Sequence, residues 1–321
     1  MEETQQEVKK NRPLRLSYSS LDKLSQCPYA WDLIYNQKKR PDEKTLALDL
    51  GNLCHKALEI ASLGFGAQEI TQEHVESVMK AGFFGTGKMG KNDEVIPSLS
   101  QIIDKYAFEW IDQDPKCIYS YDERIENFYR YAPQFFKKQR ELGYDSACSE
   151  VNFEIPFEDI LLFGSIDLIL LNTKEKKIKI VDYKTSKKAY DHNKLTSPLQ
   201  MYVYLLAVNH MYPDWEVECC EYQFVLLGEE AAVTSKGWQK RCDTKLRKLI
   251  SDLLSYKETD TWRPIPSPLC HWCNYCCHNE SSKQYADECP YYSLWTPTNK
   301  IYEVNMKWDA DKNQKTKGFF F

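Results

Sequence analysis

Near the middle of the chain, apolar residues occur at every second position. This alternation constrains the fold more than any other feature of the sequence. From Val151 to Phe157 every second residue is apolar and those between are mostly polar, which is typical of a strand with one buried face. Further strands are predicted over 160–171, 178–184 and 217–227, and a helix over 197–211 precedes the last of them. The first half is predicted to be mainly helical. The helices predicted outside the strand region cover 19–35, 46–62, 100–142 with breaks at Pro115 and Pro133, and 235–256.

Two carboxylates lie at matching positions on the second and third predicted strands. Asp167 and Asp182 are equidistant from a turn centred on Lys174 and Glu175. A regular hairpin would therefore place them opposite each other on one face, and Lys184, two residues beyond Asp182, on the same face. Opposed like charges need a neutralising cation, and hard oxygen ligands suit Mg²⁺ or Mn²⁺. The competing interpretation is an exposed, charged hairpin. The apolar run around Asp182 favours an interior, catalytic strand.

These residues resemble the motifs of the PD-(D/E)XK nuclease superfamily, specifically its RecB/AddB-like exonuclease branch. In that branch a Gly-x-x-Asp strand and an Asp/Glu-x-Lys strand are followed by a helix with Gln-x-x-x-Tyr. The chain has Gly164-Ser-Ile-Asp167, Asp182-Tyr-Lys184 and Gln200-Met-Tyr-Val-Tyr204 in that order. The upstream Gly-x-x-x-His-x-x-x-Glu helix is matched by residues 51–59, and Glu150 resembles the Glu that opens the first core strand.

The resemblance extends over residues 15 to 295 and implies an α+β or α/β fold. Its core would be restriction-endonuclease-like, an αβββαβ unit with a mixed sheet, joined to a helical N-terminal half and a C-terminal Cys-rich segment. The implied metal ligands are His55, Asp167, Asp182 and the carbonyl of Tyr183. Lys184 would position the attacking water, and Gln200 and Tyr204 would orient substrate or catalytic groups. Taken alone, His55 would be a core histidine, and Gln200 and Tyr204 ordinary helix surface.

Five of the twelve cysteines crowd into residues 270–289. In a chain without an export signal this favours metal or cluster ligation over disulfides. In the resembled branch one N-terminal and three C-terminal cysteines hold a 4Fe-4S cluster. Cys27, which precedes Pro28, and the pair Cys270 and Cys273 match three of these ligands.

The fourth ligand is ambiguous, because the position where the family has its last cysteine is Asn279 here. Cys276, Cys277 and Cys289 are the alternatives. Cys289 is favoured because Cys289-Pro-Tyr resembles the usual ending, although Cys276 would give another known cluster spacing. Four thiolates also suit zinc. Either group would join Cys27 to the far end of the chain, so a structural role is expected.

Composition excludes several classes of protein. No apolar stretch is long enough to span a bilayer, and the N-terminus lacks the apolar region of a secretory signal, so a cytoplasmic, intracellular protein is expected. The net charge of −5 gives no global positive field, but DNA binding needs only a local basic groove.

The resemblance therefore implies a Mg²⁺- or Mn²⁺-dependent DNA exonuclease with a role in recombination, repair or replication. Its substrate would be linear DNA, at ends or in single strands, and its partner a helicase or recombination protein. The alternative is a non-catalytic DNA-end-binding subunit of a recombination complex. The predicted regions are a flexible tail (1–13), a helical region contributing His55 and Cys27 (14–145), the nuclease core (146–258), the cluster segment (259–298) and a C-terminal tail (299–321).

Overall fold

The structure, a computed structural model, describes residues 13–41, 44–84, 95–275, 284–285 and 288–289. The predicted tail 299–321, residues 1–12 of the other predicted tail, and Cys276 and Cys277 lie outside the described residues. The chain divides into two compact units. None of the helices described is both long and apolar enough to cross a membrane. The first unit comprises Met1–Arg15 and Lys44–Asp243, and the second comprises Leu16–Glu43 and Thr244–Phe321.

Helices and strands follow the alternation that the sequence predicts. The strands are β1 (Leu14–Ser17), β2 (Phe83–Phe84), β3 (Val95–Ile96), β4 (Ser146–Phe157), β5 (Ile160–Asn172), β6 (Lys177–Lys184), β7 (Glu216–Phe224) and β8 (Glu229–Ala232). The helices are α1 (Tyr18–Gln26), α2 (Pro28–Tyr35), α3 (Leu46–Ser62), α4 (Gln72–Ala81), α5 (Leu99–Lys105), α6 (Ala107–Trp110), α7 (Tyr121–Glu141), α8 (His192–Thr196), α9 (Leu199–Met211) and α10 (Trp238–Thr259), and a 3₁₀ turn covers Pro268–Trp272.

A mixed sheet forms the centre of the first unit. Its strand order is β1-β5-β6-β7-β8, and β4 also pairs with β5. β4, β5 and β6 are consecutive antiparallel strands, whereas β7 runs parallel to β6 and is reached through α8 and α9. The order α7-β4-β5-β6-α9-β7 confirms the predicted αβββαβ core. The short β8 is an addition that the sequence pattern did not predict.

The prediction that Pro133 breaks a helix is wrong. Pro133 lies inside α7, which continues from Tyr121 to Glu141. A proline removes one backbone hydrogen bond, but α7 buries Phe128, Phe135 and Phe136 in the core, and that burial offsets the loss. The predicted break at Pro115 does fall in the loop between α6 and α7.

A buried ion pair ties two central strands to α7. Lys179 on β6 lies 2.8 Å from Glu221 on β7 and donates a 3.0 Å hydrogen bond to Gln139 on α7. All three side chains are buried. Burial raises the pKa of Glu221, and the nearby Lys179 opposes that shift. Each of the two buried charges is therefore stabilised only while the other side chain stays beside it.

We expect Lys179→Met to destabilise the protein by about 3–5 kcal/mol, because it leaves the Glu221 charge buried without a partner. The double variant Lys179→Met/Glu221→Leu should regain most of this loss, since it removes both desolvated charges. Urea unfolding of the three proteins measures both effects. Lys80→Met, which breaks an exposed Lys–Glu pair on α4, serves as the control. A double variant no more stable than the single one would contradict the prediction.

Candidate active site and cysteine pocket

Three carboxylates form a row across β4, β5 and β6. The last paired residues of the β5–β6 hairpin are Leu168 and Val181, so the next position of the same register places Asp167 beside Asp182. On the other side of β5, the pairs flanking Glu150 place that residue opposite Asp167. The hairpin register predicted from the turn is thereby confirmed.

The backbone departs from regular strand geometry at this row. Glu150 has φ of 47°, a left-handed conformation that is unusual for a residue with a side chain and that is often found at functional sites. Asp167 Oδ2 accepts a 2.8 Å hydrogen bond from the N–H of Tyr183. Ser165 donates a 3.0 Å hydrogen bond to Glu150 Oε2. The row lies where the pairing of β5 with β6 ends, while β4 and β5 stay paired on both sides of it.

The row is electrostatically costly. Burial raises the pKa of Asp167 and of Asp182, and the neighbouring carboxylates reinforce the shift of Asp167, whereas His55 opposes it. Asp182 is only 1% exposed and its Oδ2 lies 2.6 Å from Lys184 Nζ, yet that buried oxygen receives no aligned hydrogen bond. A cation is therefore the natural neutralising partner of the row.

His55 on α3 faces two of these carboxylates. Its Nδ1 lies 3.6 Å from Asp167 Oδ1 and 3.8 Å from Glu150 Oε1. Burial lowers the pKa of His55, but the attraction of Asp167 and Glu150 outweighs this effect and raises the pKa. Within the described ranges, these three residues are the one group of three His, Cys, Asp or Glu ligand atoms within 4.8 Å of one another.

A glycine allows α3 to approach the end of β6. A Cβ added to Gly51, one turn before His55, would lie 3.2 Å from Thr185 Oγ1. This distance is shorter than an ordinary contact, so a larger residue would require Thr185, or α3 with His55, to shift by a few tenths of an ångström. The glycine of the predicted Gly-x-x-x-His motif therefore has a packing reason.

Lys184 is connected to α9 through a chain of polar side chains. Its Nζ donates a 2.8 Å hydrogen bond to Gln200 Oε1, and Gln200 Nε2 donates a 3.0 Å hydrogen bond to the Tyr204 hydroxyl. Gln200 and Tyr204 are four residues apart and share one helix face. This chain fixes the position of the Lys184 ammonium.

A polar cavity of about 380 Å³ opens beside the carboxylate row. It contains the side chains of His55, Glu150 and Asp167 together with several residues of α3. Its lining comprises Ala47, Leu48, Gly51, Asn52, His55, Lys56, Glu59, Ile96, Glu150, Ser165, Asp167, Thr185 and Tyr204.

The structure gathers the predicted site residues and adds one. Asp167, Asp182 and Lys184 lie together, with His55 against Asp167 and with Gln200 and Tyr204 beside Lys184. The backbone N–H of Tyr183 contacts Asp167, and its carbonyl as a metal ligand stays a prediction. Glu150 had no metal-binding role in the sequence analysis. Its position as the Glu that opens the first core strand was the available signal.

Four cysteines line a separate cavity of about 240 Å³ in the second unit. They are the predicted set Cys27, Cys270, Cys273 and Cys289. No disulfide joins any two of the cysteines that the structure describes. Among the described residues, only the ligand atoms of His55, Glu150 and Asp167 form a set of three within 4.8 Å of one another. No three of these four sulfurs are therefore that close together.

Backbone N–H groups point at the sulfurs of this pocket. The N–H of Ile265 donates to Cys27 Sγ at 3.4 Å, and the N–H of Ser267 donates to Cys270 Sγ at 3.3 Å. Burial raises the pKa of the Cys27 thiol, and the backbone hydrogen bonds oppose that shift. Such hydrogen bonds are typical of thiolates that hold a metal group.

Residues 15–278 match the family described as the PD-(D/E)XK nuclease superfamily. This match covers most of the chain and includes every member of the carboxylate row. The chain therefore belongs to the PD-(D/E)XK nuclease superfamily.

The chain is also similar to part of larger proteins. It is 27% identical over 206 residues to a subunit of the ATP-dependent helicase/deoxyribonuclease of Clostridium perfringens (strain SM101 / Type A), covering 61% of this chain and 17% of that protein. The corresponding protein of Clostridium tetani (strain Massachusetts / E88) is 27% identical over 204 residues, with 61% and 18% covered. The chain thus spans less than a fifth of the length of these curated relatives.

The crystal structure of a candidate exonuclease from Eubacterium rectale is also similar to this chain. The TM-score is 0.45 with 13% sequence identity, over 83% of this chain and 88% of that one.

Glu150→Gln should weaken Mn²⁺ binding by at least ~10-fold, because it removes one negative oxygen ligand from the His55 trio. The metal-free protein should become no less stable, since the same change relieves repulsion with Asp167. Titration calorimetry and thermal unfolding measure the two effects. Glu154→Gln, four residues along β4 and paired with Arg15, is the matched control. Unchanged Mn²⁺ affinity in Glu150→Gln would remove Glu150 from the metal site.

Proposed function

We propose that this chain is a Mg²⁺- or Mn²⁺-dependent exodeoxyribonuclease. The support is the row of buried Asp182 and the partly exposed Asp167 and Glu150, with His55 and Lys184 against it. A structural role alone gives no reason to place three carboxylates side by side, whereas phosphodiester hydrolysis needs such a site. Membership in a nuclease superfamily points to the same chemistry.

The residues fit a hard divalent cation. His55, Glu150 and Asp167 already have ligand atoms within 4.8 Å of one another, and Asp182 Oδ2 is a buried anionic oxygen without an aligned donor. These four side chains, with the carbonyl of Tyr183, would hold the metal. When bound, Mg²⁺ or Mn²⁺ would neutralise charge on the phosphate and lower the pKa of a water molecule.

The side chains around the row have distinct tasks in this proposal. Lys184 holds its ammonium against Asp182, where it can donate to the attacking water or to a phosphate oxygen. Gln200 accepts a hydrogen bond from Lys184 and donates one to Tyr204. The ammonium therefore cannot rotate freely. Positioning of this kind accounts for a large part of catalysis in phosphoryl transfer.

The name of the curated relatives supports DNA as the substrate and a helicase-containing complex as the setting. A role in recombination, repair or replication is part of the proposal. The second candidate is a non-catalytic DNA-end-binding subunit. The complete set of Asp167, Asp182 and Lys184 argues against it, because a scaffold has no need to keep these carboxylates and the lysine packed together.

Nuclease assays on linear DNA test the activity. Wild-type protein should degrade DNA with Mg²⁺ or Mn²⁺ and should stop on addition of EDTA. Lys184→Ala should lower single-turnover cleavage at least ~10²-fold, because it removes one electrostatic group from the reacting phosphate. The Lys184→Ala variant should retain its affinity for Mn²⁺, since Lys184 is not a metal ligand. Asp182→Asn should lose both cleavage activity and Mn²⁺ affinity. Cleavage by Lys184→Ala at the wild-type rate would exclude this site, and an inactive wild type would favour the end-binding subunit.

Covalently closed circular DNA tests the requirement for ends. An exonuclease should spare circles while it degrades the same DNA after linearisation. Equal rates on both forms would indicate an endonuclease.

We infer further that Cys27, Cys270, Cys273 and Cys289 hold a 4Fe-4S cluster. Four thiolates around one zinc ion, each at about 2.3 Å from the metal, would lie about 3.8 Å apart. The wider spacing of these four sulfurs and the cavity they line suit a larger group. The N–H groups of Ile265 and Ser267 would stabilise its thiolate ligands. When bound, the cluster would link α1–α2 to the C-terminal segment covalently and so stabilise the second unit.

Anaerobically purified protein should be brown, with absorption near ~400 nm and about four iron atoms per chain. Cys270→Ser should lose the absorption and lower the unfolding temperature, because one ligand and its cross-link are removed. Cys148→Ser, on β4 in the first unit, should keep both properties. Colourless protein with stoichiometric zinc would contradict iron, and a stable Cys270→Ser protein with full absorption would exclude Cys270.

A further inference from the structure

The cavity beside the carboxylate row is acidic, although the substrate of the proposed reaction is an anion. Glu59, Glu150 and Asp167 are among its lining residues. Lys56 is the only lysine or arginine in that described lining. Lys184 is not part of the lining, and its ammonium already contacts Asp182 and Gln200. A nucleic acid strand in this cavity therefore has one fixed side-chain cation to contact.

Lys56 is held in a defined position on α3. Its Nζ donates to both carboxylate oxygens of Glu59, each at 2.9 Å. A lysine ammonium has three donors, so this bidentate arrangement leaves one N–H for a further acceptor. The side chains of Lys56 and Glu59 are 17% and 26% exposed. The pair thus holds the ammonium in one position on a helix that lines the cavity, and both residues belong to that lining.

An ordinary surface pair on the neighbouring helix provides the contrast. Lys80 and Glu76 on α4 also form an ion pair at 3.0 Å, but the Lys80 side chain is 70% exposed. Lys56 gives up most of its hydration and faces a cavity that contains the His55 metal trio. A Lys–Glu pair that only stabilises its own helix can do so on the exposed surface and has no need to line a cavity.

We propose that Lys56, held by Glu59, is a phosphate-binding subsite for a nucleotide next to the scissile one. The subsite rests on the proposed nuclease function and adds a substrate-binding residue to it. Asn52, four residues earlier and about 6 Å along the helix axis, lies on the same face of α3 and also lines the cavity. The α3 face bearing Asn52, His55 and Lys56 would then follow the strand backbone, with His55 at the metal and Lys56 at a flanking phosphate.

Salt-dependent binding of a fluorescein-labelled single-stranded oligodeoxynucleotide tests this subsite. Fluorescence anisotropy is measured in Ca²⁺, to suppress cleavage, from about 50 to about 200 mM KCl. Loss of one phosphate contact should lower the slope of log K against log [salt] by about 0.7. Lys56→Gln should show this smaller slope and about tenfold weaker binding. Lys56→Arg, which keeps the cation, should retain the slope, as should the control Lys80→Gln.

A double variant separates a direct contact from a change in the local field. Lys56→Gln/Glu59→Gln has the net charge of the wild type but no ammonium in the cavity. A phosphate contact predicts that its slope stays low, whereas restoration of the wild-type slope and affinity would overturn the proposal. Mn²⁺ affinity should be unchanged in Lys56→Gln, because Lys56 is not a metal ligand.

The outcomes distinguish this subsite from the nuclease function itself. If the wild-type protein cleaves DNA but Lys56→Gln has the salt slope of the wild type, the subsite is overturned and the nuclease function is not. Wild-type protein that binds with a Lys56-dependent slope but never cleaves overturns the nuclease proposal and supports the subsite. If Lys56→Gln does not fold, Glu59→Gln carries the test: it should keep the wild-type slope and bind no more weakly, and a lower slope would overturn the subsite.

Discussion

Repulsion among three adjacent carboxylates, one of them fully buried, is the constraint around which the first unit is arranged. Glu150, Asp167 and Asp182 occupy one row of a sheet, where neighbouring like charges are unfavourable even when exposed. Burial makes the repulsion stronger because the local dielectric constant falls. The protein reduces this cost by placing Lys184 and His55 against the row. What remains is a candidate site whose oxygen ligands suit a hard cation.

The elements around the row follow from this requirement. Gly51 brings α3 close enough for His55 to contact two of the carboxylates, and α9 supplies Gln200 to hold Lys184. The parallel β7 covers the other edge of β6, which keeps Asp182 buried. Without these contacts the carboxylates would be solvated and would bind a metal weakly. Of these elements α9 and β7 belong to the αβββαβ core, whereas α3 is added to it by the N-terminal half.

Most of this arrangement could be predicted from the sequence because strand periodicity and hairpin register are local. The turn centred on Lys174 and Glu175 determines which residue faces Asp167, and alternation then places Lys184. Glu150 was harder to assign, because its role depends on a left-handed backbone at that residue and on the register of β4, which no local pattern shows. The role proposed for Lys56 could not be predicted from the sequence for a similar reason. A Lys three residues before a Glu on a helix usually forms a surface ion pair. Only the cavity beside Lys56 distinguishes this pair from such a surface pair.

The two proposed metal centres use different donor sets. Carboxylates and a histidine at the row favour hard or borderline cations, whereas four thiolates favour iron or zinc. Mg²⁺ gains little from thiolates, and a cluster cannot assemble at a site without cysteine ligands. Catalytic cleavage needs a cation that a substrate phosphate can share, while a structural cross-link needs ligands that do not dissociate. Different donor sets would let one chain meet both requirements, because ligand type together with site geometry favours a different metal group at each proposed centre.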